Sequence, residues 1–327
     1  MSQNQFFDPL TPTQKSYHNY AMFNQSILPE LRRPQIKKLL SQKSFIRLLE
    51  AHNGLSGKIV DRASASDLHG EPQEFHGIWA SGLTESASLG LPDVELFGLQ
   101  SRLNIVRQML VTTKKPIVVD GDTGGSRDHF LYMLEMLNRE GVSALIIEDK
   151  VFPKNNSLDL RKTQVLENIE TFANKIKIGK EHLGSEACLI FARTEALIAD
   201  CGMDEALQRA EAFVKAGADG IVIHSRKKDP AEILEFAKFY HQRLQKLAKP
   251  LIAIPTTYNQ ITEKELQTAG FQMVIHANHL LRSALKSMQE VAEKILIHGR
   301  SFESEKDCAT MADLFNLVDG HPSSLSS

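Results

Sequence analysis

A (β/α)8 barrel is the fold the sequence predicts, and two observations predict it. Eight short apolar runs recur along the chain, each followed by a polar loop, and the segments between them carry apolar residues at three- and four-residue spacing. The expected strands cover residues 45–50, 75–79, 116–119, 144–147, 188–192, 220–223, 250–254 and 272–275. Eight strands alternating with helices favour a closed parallel barrel over an open sheet. The expected helices cover 126–139, 163–180, 204–216, 230–247, 262–269 and 279–297. Their punctuation agrees: Asp229 precedes Pro230 as a capping carboxylate before a first-turn proline. Gly141, Gly217 and Gly270 each stand just past a helix end and shortly before a strand. Upstream of the first strand, residues 32–40 read as a basic amphipathic helix with a solvated face.

At 327 residues, with 42% hydrophobic and 24% charged composition, the chain can bury one large core of barrel size. The expected organisation is a flexible N-terminal extension over 1–30, the barrel as catalytic domain over 31–300, and a C-terminal helical segment with a mobile tail over 301–327. A formal net charge of -2 and a pI near 6.6 give no electrostatic reason to expect nucleic acid or an anionic membrane as partner, which leaves small-molecule chemistry. The first thirty residues lack the apolar core of a secretory signal and no stretch has the length of a membrane span, so a cytoplasmic protein is expected. Cys188, Cys201 and Cys308 are an odd set without paired spacing. They are expected to be reduced packing residues rather than a disulfide framework or a zinc site.

If the strands are placed correctly, the residues just after them share the C-terminal rim, where barrel enzymes place their sites. These are His52 and Asn53, Ser81 and Gly82, Asp120 and Asp122, Glu148 to Lys150, Arg193 and Glu195, His224 and Ser225, Thr256 and Thr257, and Asn278. Asp120 and Asp122 flank Gly121, a spacing that can aim both carboxylates one way, and Glu148 ends the adjacent strand. Two like charges ~4 Å apart repel by on the order of 4 kcal/mol at an effective dielectric of ~20, so a cation or a proton belongs among them. All-oxygen donors favour Mg2+ over Zn2+; the alternative is an Asp pair capping the helix that starts near Ser126. Arg193 offers a fork of donors suited to carboxylate or phosphate, and His224 can donate to an anion or shuttle a proton. The alternatives there are a surface Arg193–Glu195 pair and a satisfied rim histidine. Trp79, the only tryptophan, reads equally as core packing or as a substrate wall. Ser81, Gly82 and Leu83 could present successive backbone N–H groups to an anion.

Those residues sit within longer matching stretches: Glu50 to Ser56, Gly77 to Gly82, Asp120 to Gly125, the 148–158 loop (Glu-Asp-Lys-Val-Phe-Pro-Lys-Asn-Asn-Ser-Leu), Ala192 to Ala196, His224-Ser225 and Ala277 to His279. Together they resemble the phosphoenolpyruvate mutase family, within the isocitrate lyase/phosphoenolpyruvate mutase superfamily. The resemblance runs from about Arg32 to beyond residue 300. It implies interconversion of phosphoenolpyruvate and phosphonopyruvate for phosphonate biosynthesis. It also implies Mg2+ bound directly by Asp120, with Asp122 and Glu148 acting largely through waters. The pyruvyl part would be held by Ser81, the Gly82 and Leu83 amides and Arg193, with Trp79 as a wall. Asp93, Asn156, Ser157 and His224 would surround the migrating phosphoryl group, and Lys154 would lie on a loop that closes over it. A homotetramer with the last barrel helix exchanged between neighbours is implied as well.

The relatives separate on the same loop. Carbon–carbon lyases of the superfamily carry a Lys-Lys-Cys-Gly-His-type loop, whereas the first cysteine here is Cys188. Phosphonopyruvate hydrolase resembles Lys-Asp-Thr-Ser where this chain has Lys154-Asn155-Asn156-Ser157, which makes the mutase the expected activity and the hydrolase the alternative. The stretch 63–74 lengthens the connection before the second strand, and the metal loop reads Asp-Gly-Asp-Thr-Gly-Gly.

Overall fold

The computed structural model describes residues 26–43, 45–184 and 188–319. Most of the extension expected over 1–30, and the tail beyond residue 319, lie outside the described residues.

Strand β1 (Ile46–Ala51) opens the barrel, and a small antiparallel hairpin of β2 (Ser64–Ser66) and β3 (Pro72–Glu74) follows. The remaining barrel strands are β4 (Gly77–Ala80), β5 (Ile117–Asp120), β6 (Ala144–Glu148), β7 (Leu189–Thr194), β8 (Gly220–Ile223), β9 (Leu251–Ala253) and β10 (Met273–His276). They run parallel and close in the order β1, β10, β9, β8, β7, β6, β5, β4. The hairpin is the lengthened connection expected over 63–74.

The helices in chain order are α1 (Pro29–Arg32), α2 (Gln35–Gln42), α3 (Gly54–Arg62), α4 (Gly82–Ser88), α5 (Leu99–Leu110) and α6 (Arg127–Arg139). After these come α7 (Ile169–Leu183), α8 (Gly202–Lys215), α9 (Ala231–Leu244), α10 (Glu263–Thr268), α11 (His279–His298) and α12 (Met311–Asp319). Gly141, Gly217 and Gly270 all take positive φ at the ends of α6, α8 and α10, as their position predicts. Helix α7 begins six residues later than its periodicity suggests, because Asn168 caps it through the amides of Glu170 and Thr171. Residues 163–167 instead pair back with the loop after β6, Val151 donating to Val165 and Glu167 to Asp149. Cys188 is buried as expected, but Cys201 and Cys308 are exposed and do not pack a core.

Period-two alternation divides the apolar side chains into two layers. Leu48, Trp79, Val118, Ile146, Phe191, Val222, Ile252 and Ile275 fill the barrel, and Ile36 of α2 plugs its N-terminal end. Their neighbours Leu49, Ile78, Val119, Ile147, Ala192, Ile223, Ala253 and Val274 face the helices. The expected solvated basic helix is therefore a plug on one face. Upstream of it, Arg32 is buried, its NH2 donating to the carbonyls of Leu110 (2.9 Å) and Thr113 (2.7 Å).

Beneath the barrel, His76 Nδ1 accepts the Arg47 amide at 3.0 Å, a bond only the unprotonated nitrogen can make. Burial, with Lys43 and Arg47 nearby, lowers its pKa to about 4. Its folded value lies below the unfolded one, so this contribution is complete above about pH 6.5 and is lost as pH falls toward about 4. For a half-buried ring screened by solvent we expect a loss of about 1–2 kcal/mol. His76→Asn, whose amide oxygen can replace Nδ1, should flatten the fall in urea-unfolding stability between about pH 7 and about pH 4.5. Parallel pH profiles for the two proteins would show that the histidine contributes nothing.

Candidate active site

The alternation that turns Val118, Ile146, Phe191 and Val222 into the barrel continues for two more residues. It then aims Asp120, Glu148, Arg193 and His224 at the same C-terminal mouth. Trp79, Ser81, Leu83, Asp93, Asp120, Lys154, Asn156, Ser157, Arg193 and His224 all line one cavity there, of about 50 Å³. Gly82, Asp122 and Glu148 stand immediately behind it. The Gly82 amide donates to Asp120 Oδ2 at 3.1 Å, and a Cβ on Gly82 would lie 2.8 Å from Asp122 Oδ1, so no larger residue fits against the acid pair.

The acids do not cap the helix that starts at Arg127. Asp120 Oδ1 accepts the Asp122 amide at 3.1 Å, while Asp122 reaches Arg102 at 2.5 Å and Lys154 Nζ at 2.6 Å. Burial pushes Asp120 up to about 6, with Lys154 pulling the other way. Burial opposes ionisation of Asp122 too, but Lys154 and Arg102 hold it below the usual carboxylate range. Glu148 is buried, and neither of its carboxylate oxygens makes a hydrogen bond among the described residues; its nearest cations are Lys150 and Arg193, each at 3.5 Å. No three acidic, histidine or cysteine side chains among the described residues are drawn together as a complete metal-ligand set. The donor chemistry nevertheless suits a hard cation: carboxylate oxygens only, one acid with neither oxygen hydrogen-bonded, and a second whose ionisation burial opposes, so that a nearby cation would favour its charged form.

Opposite the acids, a buried network fixes Arg193 and His224. Arg193 is not on the surface: it forks to Glu195 through Nε, and its NH2 donates to Ser157 Oγ and His224 Nδ1, each at 2.9 Å. Lys150 Nζ donates to Ser157 Oγ at 2.6 Å and pairs with Glu195 at 3.2 Å, and Ser157 Oγ donates to Glu195 at 2.6 Å. Burial alone would neutralise Glu195, but Arg193 and Lys150 outweigh it and hold the carboxyl well below its ordinary range. Arginine can only donate, so His224 Nδ1 is the acceptor and Nε2 carries the proton; Glu195, at 3.4 Å from Nδ1, is the weaker claimant. That Nε2 has no hydrogen-bond partner among the described residues. Burial and Arg193 lower the His224 pKa, so a neutral N–H donor is aimed at the cavity.

The 150–158 loop lies across the mouth. Asn156 Nδ2 donates to Asp93 Oδ2 at 2.6 Å, and Lys154 Nζ lies 3.2 Å from Asp93 Oδ1. Trp79 is buried in the barrel core and also lines the cavity.

Several supporting residues carry no signal in the sequence. Arg102 of α5 is buried behind the acid loop, bonded to the Asp120 carbonyl and to Asp122, with its guanidinium over the Phe97 ring. Beneath it, Glu85 is pushed up to about 8 by burial, so it is mostly protonated at neutral pH and Arg102 directs its charge at Asp122. Glu95 supports the loop, together with Lys150, which the end of β6 already places on the rim. Arg102, Glu85 and Glu95 arrive from positions set by tertiary packing. The Glu50 to Ser56 stretch also has a structural basis: Asn53 and Ser56 form a capping box on α3. Glu50 meanwhile bonds His52 and accepts the first amides of α11.

Comparison with known proteins agrees with this geometry. The family model described as phosphoenolpyruvate phosphomutase matches residues 36–296. Phosphoenolpyruvate phosphomutase of Tetrahymena pyriformis is 36% identical over 284 residues, spanning 86% of this chain and 90% of that one. The crystal structure of phosphoenolpyruvate phosphomutase from Streptomyces platensis subsp. rosaceus superposes with a TM-score of 0.80 at 35% identity, covering 87% of this chain and 94% of that one. A phosphonopyruvate hydrolase in complex with oxalate and Mg++ superposes with a TM-score of 0.75 at 32% identity, covering 89% and 95%. With the barrel, the acid face and the match extending over most of its length, the chain belongs to the phosphoenolpyruvate phosphomutase family of enzymes.

Proposed function

We propose that this protein is a Mg2+-dependent phosphoenolpyruvate mutase. It would move a phosphoryl group between C3 and the enol oxygen of one molecule, interconverting phosphonopyruvate and phosphoenolpyruvate for phosphonate biosynthesis. The observation that carries this reading is the 150–158 loop drawn across the mouth, with Lys154 and Asn156 both meeting Asp93. An intramolecular transfer needs water excluded, because a captured phosphoryl group would otherwise end as phosphate, whereas a hydrolase must admit a water.

Asp120, Asp122 and Glu148 would hold the Mg2+, whose positive charge stabilises an enolate. The chain's own residues do the rest. Arg193, fixed by Glu195 and Ser157, presents its guanidinium to the pyruvyl carboxylate, with Ser81 and the Leu83 amide as further donors and Trp79 as a wall. The Gly82 amide is already shared with Asp120 and orients that acid. His224 Nε2–H, Asn156 and Lys154 donate to the phosphoryl oxygens, and Asp93 faces the group in transit. As the P–C3 bond breaks, its electron pair stays on the enolate, whose oxygen forms the new P–O bond.

Phosphorus NMR of the purified protein with phosphonopyruvate tests this. Phosphoenolpyruvate should appear with Mg2+ and not after its removal by chelation. Inorganic phosphate in its place would make the hydrolase the better reading.

The same reading extends to assembly: a homotetramer in which α11 is exchanged between neighbours, around a catalytic unit of residues 31–300. Its support is that no residue of α11 is buried and that Leu285, Met288, Leu296 and Ile297 on it are exposed. Light scattering should give four chains per particle, and a monomer would contradict the exchange. The free cysteines suit a reducing, cytoplasmic setting. Among the described residues, no helix is long and apolar enough to cross a membrane.

A further inference from the structure

Glu95 lies two residues beyond Asp93, on the connection between α4 and α5. Its backbone is in the left-handed region, at φ 56°, which residues other than glycine seldom adopt unless their surroundings hold them there. Three hydrogen bonds do so. Oε1 accepts from the amide and hydroxyl of Thr123, at 3.1 and 2.8 Å, and Oε2 accepts from the amide of Lys154 at 2.8 Å. Thr123 follows Asp122 directly, and Lys154 and Asp122 form the 2.6 Å ion pair across the mouth. One carboxylate therefore grips the chain on both sides of that pair. It does so largely through backbone amides, which fix where two loops lie rather than where one side chain points.

We propose that Glu95 is a positioning residue that latches the 150–158 loop onto the acid loop, so that Lys154 and Asn156 reach Asp93 with water excluded. The proposal rests on the phosphoryl-transfer reading above. With the latch weakened, water competes with the enolate for the phosphoryl group. The water oxygen bonds phosphorus as the P–C3 bond breaks, the electron pair remains on the enolate, and one water proton ends on C3. The products are phosphate and pyruvate. Glu95 touches neither substrate nor reacting atoms in this scheme, so its loss should change the partition of products as well as the rate.

Glu95→Gln keeps the shape but sets an N–H against one of the two loops. Limited trypsin digestion reads the latch without any turnover, since Lys154 is itself a cleavage site and Arg161, whose side chain is 86% exposed, serves as reference in the same digest. Cleavage after Lys154 should rise at least ~10-fold, with cleavage after Arg161 and the melting temperature unchanged. With phosphonopyruvate, the share of phosphorus released as inorganic phosphate should rise at least ~5-fold over wild type. Should Glu95→Gln not fold, Thr123→Val removes one donor to the same carboxylate and is expected to give a smaller increase at Lys154. Cleavage after Lys154 at the wild-type rate overturns the latch. So does a rise at both sites accompanied by a lower melting temperature, which would mean general destabilisation. A wild-type enzyme that yields only phosphate would remove the mutase reading, and the digestion would then decide the latch independently.

Discussion

Asn156→Ala is expected to lower kcat for isomerisation by about 10²–10³-fold while leaving the melting temperature within about 2 °C of wild type. The side chain makes two bonds of different kinds. Oδ1 accepts the Leu158 amide at 2.9 Å, a local turn contact, while Nδ2 donates across the mouth to Asp93 at 2.6 Å. The loop keeps its other ties without the side chain: Lys150 to the Asn155 carbonyl, Gln164 to the Asn156 carbonyl, and the Lys154 amide to Glu95. On the proposed mutase reading, what alanine removes is a preorganised donor on the path of the phosphoryl group, and such a donor acts chiefly in the transition state. The fall should therefore appear in kcat more than in KM. Wild-type turnover in the alanine variant would sink the role assigned to this loop.

The barrel was legible because its strands are short apolar runs set between helical periods. The structure moves their boundaries by only one or two residues, as at β1 and β7. Helices α3 and α4 were less visible. Gly54, Gly57 and Gly82 depress helix propensity, and these segments serve the mouth as well as the outer layer. The start of α7 was misplaced because periodicity continues through residues 163–168, where tertiary pairing with the 150–158 loop wins.

Legibility of the site follows a similar division. Asp120, Glu148, Arg193 and His224 could be read from strand ends, since inward parity simply continues past each strand. Asp93 and Asn156 were reached through family resemblance, because neither position has a periodicity that points inward. Arg102 and Glu95 were missed for a physical reason. On α5, Arg102 looks like one more helix-surface charge, and it is the burial of Glu85 beneath it that turns the guanidinium toward Asp122. Contacts between elements distant in sequence have no local signature.

Replacing Arg193 is the most disruptive single change we expect, and two variants separate its functions. Arg193→Met should cost about 3–5 kcal/mol of unfolding free energy and abolish measurable turnover, because it leaves two buried carboxylates to the single cation Lys150. Glu195 and Glu148 are both essentially inaccessible to solvent, and Arg193 is the cation that ties them to the lining of the cavity. Arg193→Lys keeps the charge but not the fork. A lysine amine is a compact donor that cannot hold Glu195, Ser157 and His224 at three angles together. It should therefore recover most of the stability yet remain about 10²-fold or more below wild type in kcat/KM. His224 provides an independent readout. Its Nδ1 accepts from Arg193, so losing that donor should shift the ring away from the Nε2–H tautomer, detectable in the nitrogen chemical shifts of the imidazole. If Arg193→Lys matched wild type in both kcat/KM and the His224 tautomer, a positive charge alone would suffice at this position. The geometric fixing of the cavity lining would then have to come from Lys150 and Glu195 instead.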